Sequence, residues 1–433
     1  MKKIGLILLA LCLVFPMVLF AGGEKEAEAE TEEVAPEAAG EKVLKIGVIG
    51  PYTGSSARTG TELKNTAIFA FENIDYKIGD YTIELVFIDS QGDPAKAASA
   101  YSEAVEGEGV QATIFAWYST VCLALLDLAA KYEIPNVGSM GGARSAVEKY
   151  SSDPKYRGFW TRGYPIVSRM TSGYVDFLED AIASGEWNPE EKTVAVYGLD
   201  TDWGREVAGS LKKAFLDKGW DVITEDYLAM NQTDFYPLMG KYKNMDATVL
   251  AGSTSSPSVS TAFIKQAAEV GVEAVIIDDG LGWIGEFYDL TGSASNYIFD
   301  MIPQFSTEEA VEWGKAYEER FGYFPGATAS GINWDNANLF IKILRRAYEK
   351  YGELNKETIH SVISDEVCTG QLTYGVEDGS LFQTKFEYSL ETHNEPLLGP
   401  EYWYLPIIQY YEGDSKIVYP YAWAQAEPVF VAE

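Results

Sequence analysis

The sequence predicts an α/β fold of two lobes, each a doubly wound, mainly parallel sheet with helices on both faces. Three observations carry that expectation. From Val43 onward, short β-branched runs alternate with single amphipathic segments, a spacing that suits parallel strands joined by helical crossovers. The alternation starts afresh after Arg162, so a second sheet follows the first. The 433 residues are 47% hydrophobic and 13% aromatic, with 40 Gly and 17 Pro, which is apolar mass enough for more than one core.

Ahead of the first strand, Met1-Lys2-Lys3 is a basic start, 4–20 is an apolar run, and Ala21-Gly22-Gly23 is a small-residue exit. This reads as an export signal over 1–21 rather than a membrane anchor, because Pro16 and the exit favour cleavage. Cys12 lies inside the run after Leu9-Ala10-Leu11, and lipid tethering through it is the lesser reading. Residues 24–41 hold eight Glu and one Lys with almost no large apolar side chain. Residues 22–42 are therefore expected to be an acidic spacer, too polar to offset the entropy of ordering.

The first strand is expected at 43–50, followed by a loop over 51–60 and a helix over 61–73. A strand at 81–89 and a helix at 94–105 come next, with Pro94 at a helix start where its missing N–H does little harm. Strand 112–115, helix 121–132 and strand 134–137 complete the first alternation. The second opens with a helix over 166–183. Strands then fall at 193–197, 221–227, 247–251 and 274–277, separated by helices at 205–217, 234–242 and 257–270. Two helices at 308–321 and 333–351 follow, then strand signals at 402–410 and 417–419.

Charge and motifs narrow the function. With 33 Lys and Arg against 65 Asp and Glu, the formal net charge is −32, so no nucleic-acid partner is expected. His360 and His393 each lack neighbouring metal ligands in sequence. The first strand's Gly47-Val48-Ile49-Gly50 has the wrong spacing for a dinucleotide loop. A phosphate-binding loop, a Gly-x-Ser-x-Gly elbow and a His-Glu-x-x-His pair are all missing from the sequence. No metal, cofactor or enzymatic activity is expected. Cys122 and Cys368 can form a bridge in an oxidising compartment or remain two buried thiols.

In open α/β sheets, ligands bind beyond the carboxyl ends of the strands. The loops at 51–60, 117–120, 139–143 and 278–280 hold that position. Ser119 and Thr120 precede a helix, as N-caps or as hydroxyls facing a ligand carboxylate beside the helix dipole. Asp278 and Asp279 end an apolar strand next to Gly280, as partners of an ammonium group or as turn formers. Trp203 opens a helix, as an aromatic platform or a packing residue. Thr59 and Ser253 complete the candidate binding set.

Ile46-Gly47-Val48-Ile49-Gly50-Pro51-Tyr52-Thr53-Gly54, Asp89-Ser90-Gln91-Gly92-Asp93-Pro94-Ala95-Lys96-Ala97, Thr233-Asp234-Phe235-Tyr236-Pro237-Leu238 and Phe263-Ile264-Lys265-Gln266-Ala267 with Gly271 share an order and a character. Together they resemble the type I periplasmic solute-binding proteins of branched-chain amino-acid and amide ABC transporters, from Val43 to the early 380s. The resemblance implies two Rossmann-like lobes, 43–163 plus 303–390 and 164–302 plus 391–433. A three-segment hinge would join them near 162–165, near 300–303 and in the tail. It further implies a monomeric periplasmic receptor that closes over a small amino acid, branched-chain or related, and delivers it to permease subunits. A sensory receptor and a receptor for an amide or urea-type solute are the alternatives.

Position by position, Ser119, Gly142 and Ala143 match residues that hold the ligand α-carboxylate, Asp279 matches the ammonium partner, and Trp203 matches an aromatic cover. Three departures stand out. Ala143 replaces the usual Thr, leaving backbone N–H groups or Arg144 to compensate. Ser253-Thr254-Ser255-Ser256 replaces a second aromatic, and Trp117-Tyr118 adds bulk beside Ser119.

Overall fold

The computed structural model describes residues 42–254, 256–281, 287–305, 307–392, 394–399 and 401–430. The expected export signal and all of the spacer before Lys42 lie outside the described residues, as does His393. Among the described residues the strands form three sheets.

The first sheet contains β1 (Lys42–Gly50), β2 (Lys77–Ile78), β3 (Tyr81–Asp89), β4 (Ala112–Phe115), β5 (Asn136–Ser139) and β6 (Trp160–Arg162), in the order β2-β3-β1-β4-β5-β6. Every pairing is parallel except the β2–β3 ribbon. Central β1 is buried without a break from Ile46 to Gly50, as a strand covered on both faces must be. Its register sets Ile49 beside Phe115 and Gly50 beside Asp89, so the loops that follow β1, β3 and β4 leave from one edge.

Two of the motifs quoted above meet at that edge. Asp89 accepts from Tyr52 N at 2.9 Å and Thr53 Oγ1 at 2.7 Å, tying the loop after β1 to the end of β3. Asp93 then caps the helix Pro94–Glu103, accepting from Ala95 N at 2.8 Å and Lys96 N at 2.9 Å. Such a cap is worth about 1 kcal/mol.

The second sheet holds β7 (Thr193–Leu199), β8 (Asp221–Leu228), β9 (Val249–Ser253), β10 (Val275–Asp278) and β11 (Phe299–Met301). After a two-stranded ribbon of β12 (Tyr374–Gly375) and β13 (Lys385–Phe386), the tail adds β14 (Ile407–Tyr411) and β15 (Asp414–Tyr419). The order is β15-β14-β11-β10-β9-β7-β8, with β14 antiparallel to β11 and β15. The chain passes between the two main sheets three times: between β6 and β7, after β11, and between β13 and β14. Helix Asn333–Tyr351 returns to the first sheet, where it packs against β4, β5 and the helix Ala57–Glu72.

Several expectations are corrected. The first helix begins at Ala57, so Thr59 lies in its first turn and not in a loop. The expected 166–183 helix is two, Val167–Met170 and Ser172–Ser184. β6, β11 and the helix Arg144–Ser152 are additions. Three-residue strands show no period, and β6 and β11 each carry a fully buried charged residue, Arg162 and Asp300, that reads as surface.

Cys122 and Cys368 are both free and buried. Burial pushes the Cys122 thiol up to about 11, which leaves it unreactive. His360 has a structural place, with Nε2 2.9 Å from Arg157 O and its ring stacked on Phe159. Among the described residues no helix is long and apolar enough to cross a membrane, and no acidic, His and Cys cluster is arranged for a metal.

Candidate functional site

The first face is built where β4 and β5 end. Tyr118 is the N-cap of the helix Ser119–Tyr132 and no side chain caps it. Ser119 and Thr120 are thus the first two helical residues, not caps. Ser119 is buried, and its Oγ accepts from Ala143 N at 3.2 Å. That bond joins the loops after β4 and β5 and spends the Ala143 N–H on the protein.

Gly142 is the point of contact with the second face. A Cβ there would lie 2.9 Å from Trp203 Cζ3 and 2.9 Å from Pro165 O, closer than real side chains approach, so a residue without a Cβ is required for this fit. Gly142 O also accepts from Val167 N at 3.0 Å. Arg144 does not turn toward Ser119. Its guanidinium lies 3.4 Å from Glu206 Oε1 and 3.0 Å from Ser168 Oγ, on the side of the second sheet.

The second face forms where β7, β9 and β10 end. Trp203 is the second residue of the helix Asp202–Asp217, whose cap Thr201 Oγ1 accepts from Gly204 N at 3.1 Å. Trp203 Nε1 donates to Ser253 Oγ at 3.1 Å, and Ser253 Oγ donates to Asp279 O at 2.7 Å. Ser253, standing where an aromatic was expected, therefore links the indole to the acidic residue. The contacts Ser119–Ala143, Gly142–Trp203, Trp203–Ser253 and Ser253–Asp279 bring six of the eight candidates together. Thr59 and Thr120 are not in that chain, and among the described residues no hydrogen bond joins either to it.

Three buried aspartates surround this end of the sheet, and they differ in how fully they are satisfied. Asp278 accepts from Thr254 N at 2.8 Å and Thr254 Oγ1 at 2.6 Å. Asp300 accepts from Gly280 N at 2.8 Å, Met301 N at 2.7 Å and the Tyr410 hydroxyl at 3.0 Å. Asp279 accepts from the Tyr174 hydroxyl on Oδ1 at 3.1 Å, while its buried Oδ2 has no hydrogen-bond partner among the described residues. Burial, reinforced by the charges of Asp300 and Asp278, pushes the Asp279 carboxyl well above the carboxylate range. An enclosed carboxylate with an unused oxygen is a place for a cationic group, because a buried charge needs a paired one.

The same burial makes stability pH-dependent. Asp278 is pushed up to about 8, chiefly by desolvation. The folded protein thus keeps a proton that the unfolded chain gives up near pH 4. The Asp278 contribution is fully present below about pH 4 and is lost as pH rises toward 8. Thermal melts across that window are expected to show the wild type losing stability with pH more steeply than Asp278→Asn. Parallel curves would remove Asp278 as the source.

Residue type and spacing did not point to Tyr164, Tyr174 or Glu395. Tyr164, on the first crossing, sets its ring edge-on to Trp203 at 5.8 Å and to Trp403 at 5.0 Å. Glu395, buried on the third crossing, accepts from Arg162 Nη2 at 2.5 Å, Ile166 N at 2.5 Å and Arg169 Nη1 at 3.1 Å. Asp300 did leave a signal, a lone acid in the apolar run Ile298-Phe299-Asp300-Met301-Ile302.

Known proteins resemble this chain over most of its described length. The model of the periplasmic binding protein family matches residues 43–370. The Leu/Ile/Val-binding protein homolog 6 of Brucella suis biovar 1 is 26% identical over 244 residues, 56% of this chain and 58% of that protein. The match thus spans little more than half the length of that relative. The leucine-, isoleucine-, valine-, threonine-, and alanine-binding protein of Pseudomonas aeruginosa is 26% identical over 347 residues, 78% of this chain and 87% of that protein. The substrate-binding protein of a Streptococcus pneumoniae branched-chain amino acid transporter, solved with isoleucine, is 18% identical with a TM-score of 0.68. The alignment covers 86% of this chain and 98% of that one. A Rhodopseudomonas palustris ABC transporter solute-binding protein, solved with 3,4-dihydroxybenzoic acid, is 18% identical with a TM-score of 0.69, covering 86% and 95%. At such identities the two structures speak to the fold alone. Matched over 43–370, with two parallel-stranded sheets whose loops meet at Gly142 and Trp203, the chain belongs to the periplasmic binding protein family.

Proposed function

We propose that this protein is an exported solute-binding receptor of an ABC transporter, and that its solute is an amino acid held beside the Gly142–Trp203 contact, with Ser119 and Ala143 on one face and Trp203 and Asp279 on the other. The observation that carries the reading is the unused, buried Oδ2 of Asp279. An α-ammonium group there would complete a charge pair. The α-carboxylate would lie toward Ser119 and the start of its helix, whose dipole favours an anion. Trp203 would cover the aliphatic part. Arg144 and Glu206, drawn from opposite sides, are among the contacts that closure makes. A solute bridging both faces would shift the population toward this closed shape, which a permease then recognises.

The amino acids in the name of the Pseudomonas relative support a branched-chain or small side chain. The dihydroxybenzoate complex supports a second reading, an aromatic acid. That reading is weaker here, because an aromatic acid brings an anion and no cation to Asp279. Titration calorimetry with leucine, isoleucine, valine, acetamide, urea and 3,4-dihydroxybenzoate separates them. Micromolar or tighter binding of at least one amino acid is expected, with the ligand recovered unchanged. Binding of the aromatic acid with none of the amino acids would overturn the reading. In the native cell, mass spectrometry is expected to find the mature protein in the periplasmic fraction, beginning near residue 22.

A further inference from the structure

We propose a second small-molecule site, separate from the cleft, that takes a neutral sugar or polyol. A cavity of about 590 Å³ lies where the second and third crossings meet the tail, lined in part by Gln304, Gln383, Tyr404, Trp423 and Gln425. Small-molecule sites span about 300–1,000 Å³.

The three glutamines share one arrangement. Gln383 Oε1 accepts from Tyr404 N at 2.8 Å, Gln425 Oε1 from Ile417 N at 3.0 Å, and Gln304 Oε1 from Ser415 Oγ at 2.9 Å. Two of these donors are backbone N–H groups, which settle which end of the amide is the carbonyl. For Gln383 and Gln425 the carbonyl is thereby committed to the protein and the NH2 is the remaining end, while Gln304 faces a hydroxyl that can donate or accept. Gln383 is 3% exposed, and its Nε2 has no hydrogen-bond partner among the described residues. A buried donor left unmet costs about 1–3 kcal/mol, and this one lies just beneath the wall, within reach only of an occupant that the wall yields to.

The rest of the lining selects among acceptors. Among the described lining residues Glu309 is the charged one, and it repels an anion while accepting from a hydroxyl. A cation would meet the glutamine donors with the wrong sign. Trp423 is 43% exposed, with its ring perpendicular to Tyr404 at 5.3 Å, and so offers an aromatic face to C–H groups. A neutral polyhydroxylated molecule answers all of these at once: its hydroxyls accept from the amides and donate to Glu309, and its C–H face rests on Trp423.

The test is calorimetry of the full chain with glucose and with maltose at millimolar concentrations. One-site saturable binding of at least one sugar is expected, weakened at least tenfold by Trp423→Ala and by Gln304→Ala. Both changes are at accessible positions, and circular dichroism would check that each variant folds. Binding is also expected to persist in Asp279→Asn, which separates this site from the cleft. The absence of saturable binding by either sugar, or binding that survives Trp423→Ala and Gln304→Ala, would overturn the proposal. So would binding that is lost in Asp279→Asn.

Discussion

Asp279→Asn is expected to weaken amino-acid binding about 100-fold or more while leaving the fold intact. Truncating one partner of a buried charge pair costs about 2–5 kcal/mol, much of it the cost of leaving the other charge unpaired. Asn preserves the shape and can still accept from the Tyr174 hydroxyl that now bonds Oδ1. It also removes a carboxylate that burial and its acidic neighbours disfavour. Without amino acid, therefore, the variant's melting temperature should hold or rise, while the stabilisation by added amino acid disappears. Protons report the same group. A carboxyl raised above its usual range gives up protons when it pairs with an ammonium. Affinity is expected to rise with pH until the carboxyl of the free protein is ionised, and calorimetry in buffers of different ionisation heat should detect proton release that the variant lacks. An unchanged affinity in Asp279→Asn would remove Asp279 from the site.

The second large effect is expected at the crossings. Glu395→Ala should destabilise the protein by about 3–5 kcal/mol, because it leaves the fully buried Arg162 guanidinium without its carboxylate. Glu395 also receives Ile166 N, and the next residue, Val167, donates to Gly142 O. Loss of the carboxylate thus loosens the first crossing at the point where it holds the Gly142 loop, and amino-acid affinity should fall along with stability. Glu395→Gln keeps an acceptor without the charge, and an intermediate loss is expected. Urea unfolding measures both, as a lower midpoint at an unchanged slope. A wild-type midpoint for Glu395→Ala would show that Arg162 is satisfied by other means.

The fold was legible wherever the signal is local. Most strands of four or more residues and helices of ten or more declare themselves by periods of two and 3.6, which depend on neighbours along the chain, although β5 and β9 sit two residues later than expected and β14 begins at Ile407 rather than near 402. β1, β3, β7 and β8 emerged at nearly their expected bounds for that reason, as did the helices Pro257–Val270, Glu308–Phe321 and Asn333–Tyr351. β6 and β11 did not, since three residues are too few for a period and each holds a charge whose partner lies far away in sequence. Arg162 meets Glu395, and Asp300 meets Tyr410. Helix starts were misjudged by a few residues at Ala57, Ser119 and Asp202, where the first turn is held by packing or by a cap not marked by its apolar pattern.

Sequence alone determined the α/β class and the alternation of strands and helices that builds two sheets, because periodicity and turn chemistry are written in adjacent residues. It also placed two aspartates beside Gly280 without separating them. Only the tertiary structure decided that Asp278 is saturated by Thr254, that Arg144 faces Glu206, and that Ser253 is committed between Trp203 and Asp279. It also decided that Asp279 keeps an unused oxygen. The physical reason is that burial and hydrogen-bond saturation are set by groups brought in from other elements: Tyr174 from a helix about a hundred positions earlier and Asp300 from the neighbouring strand. Such partners leave no trace in the local pattern.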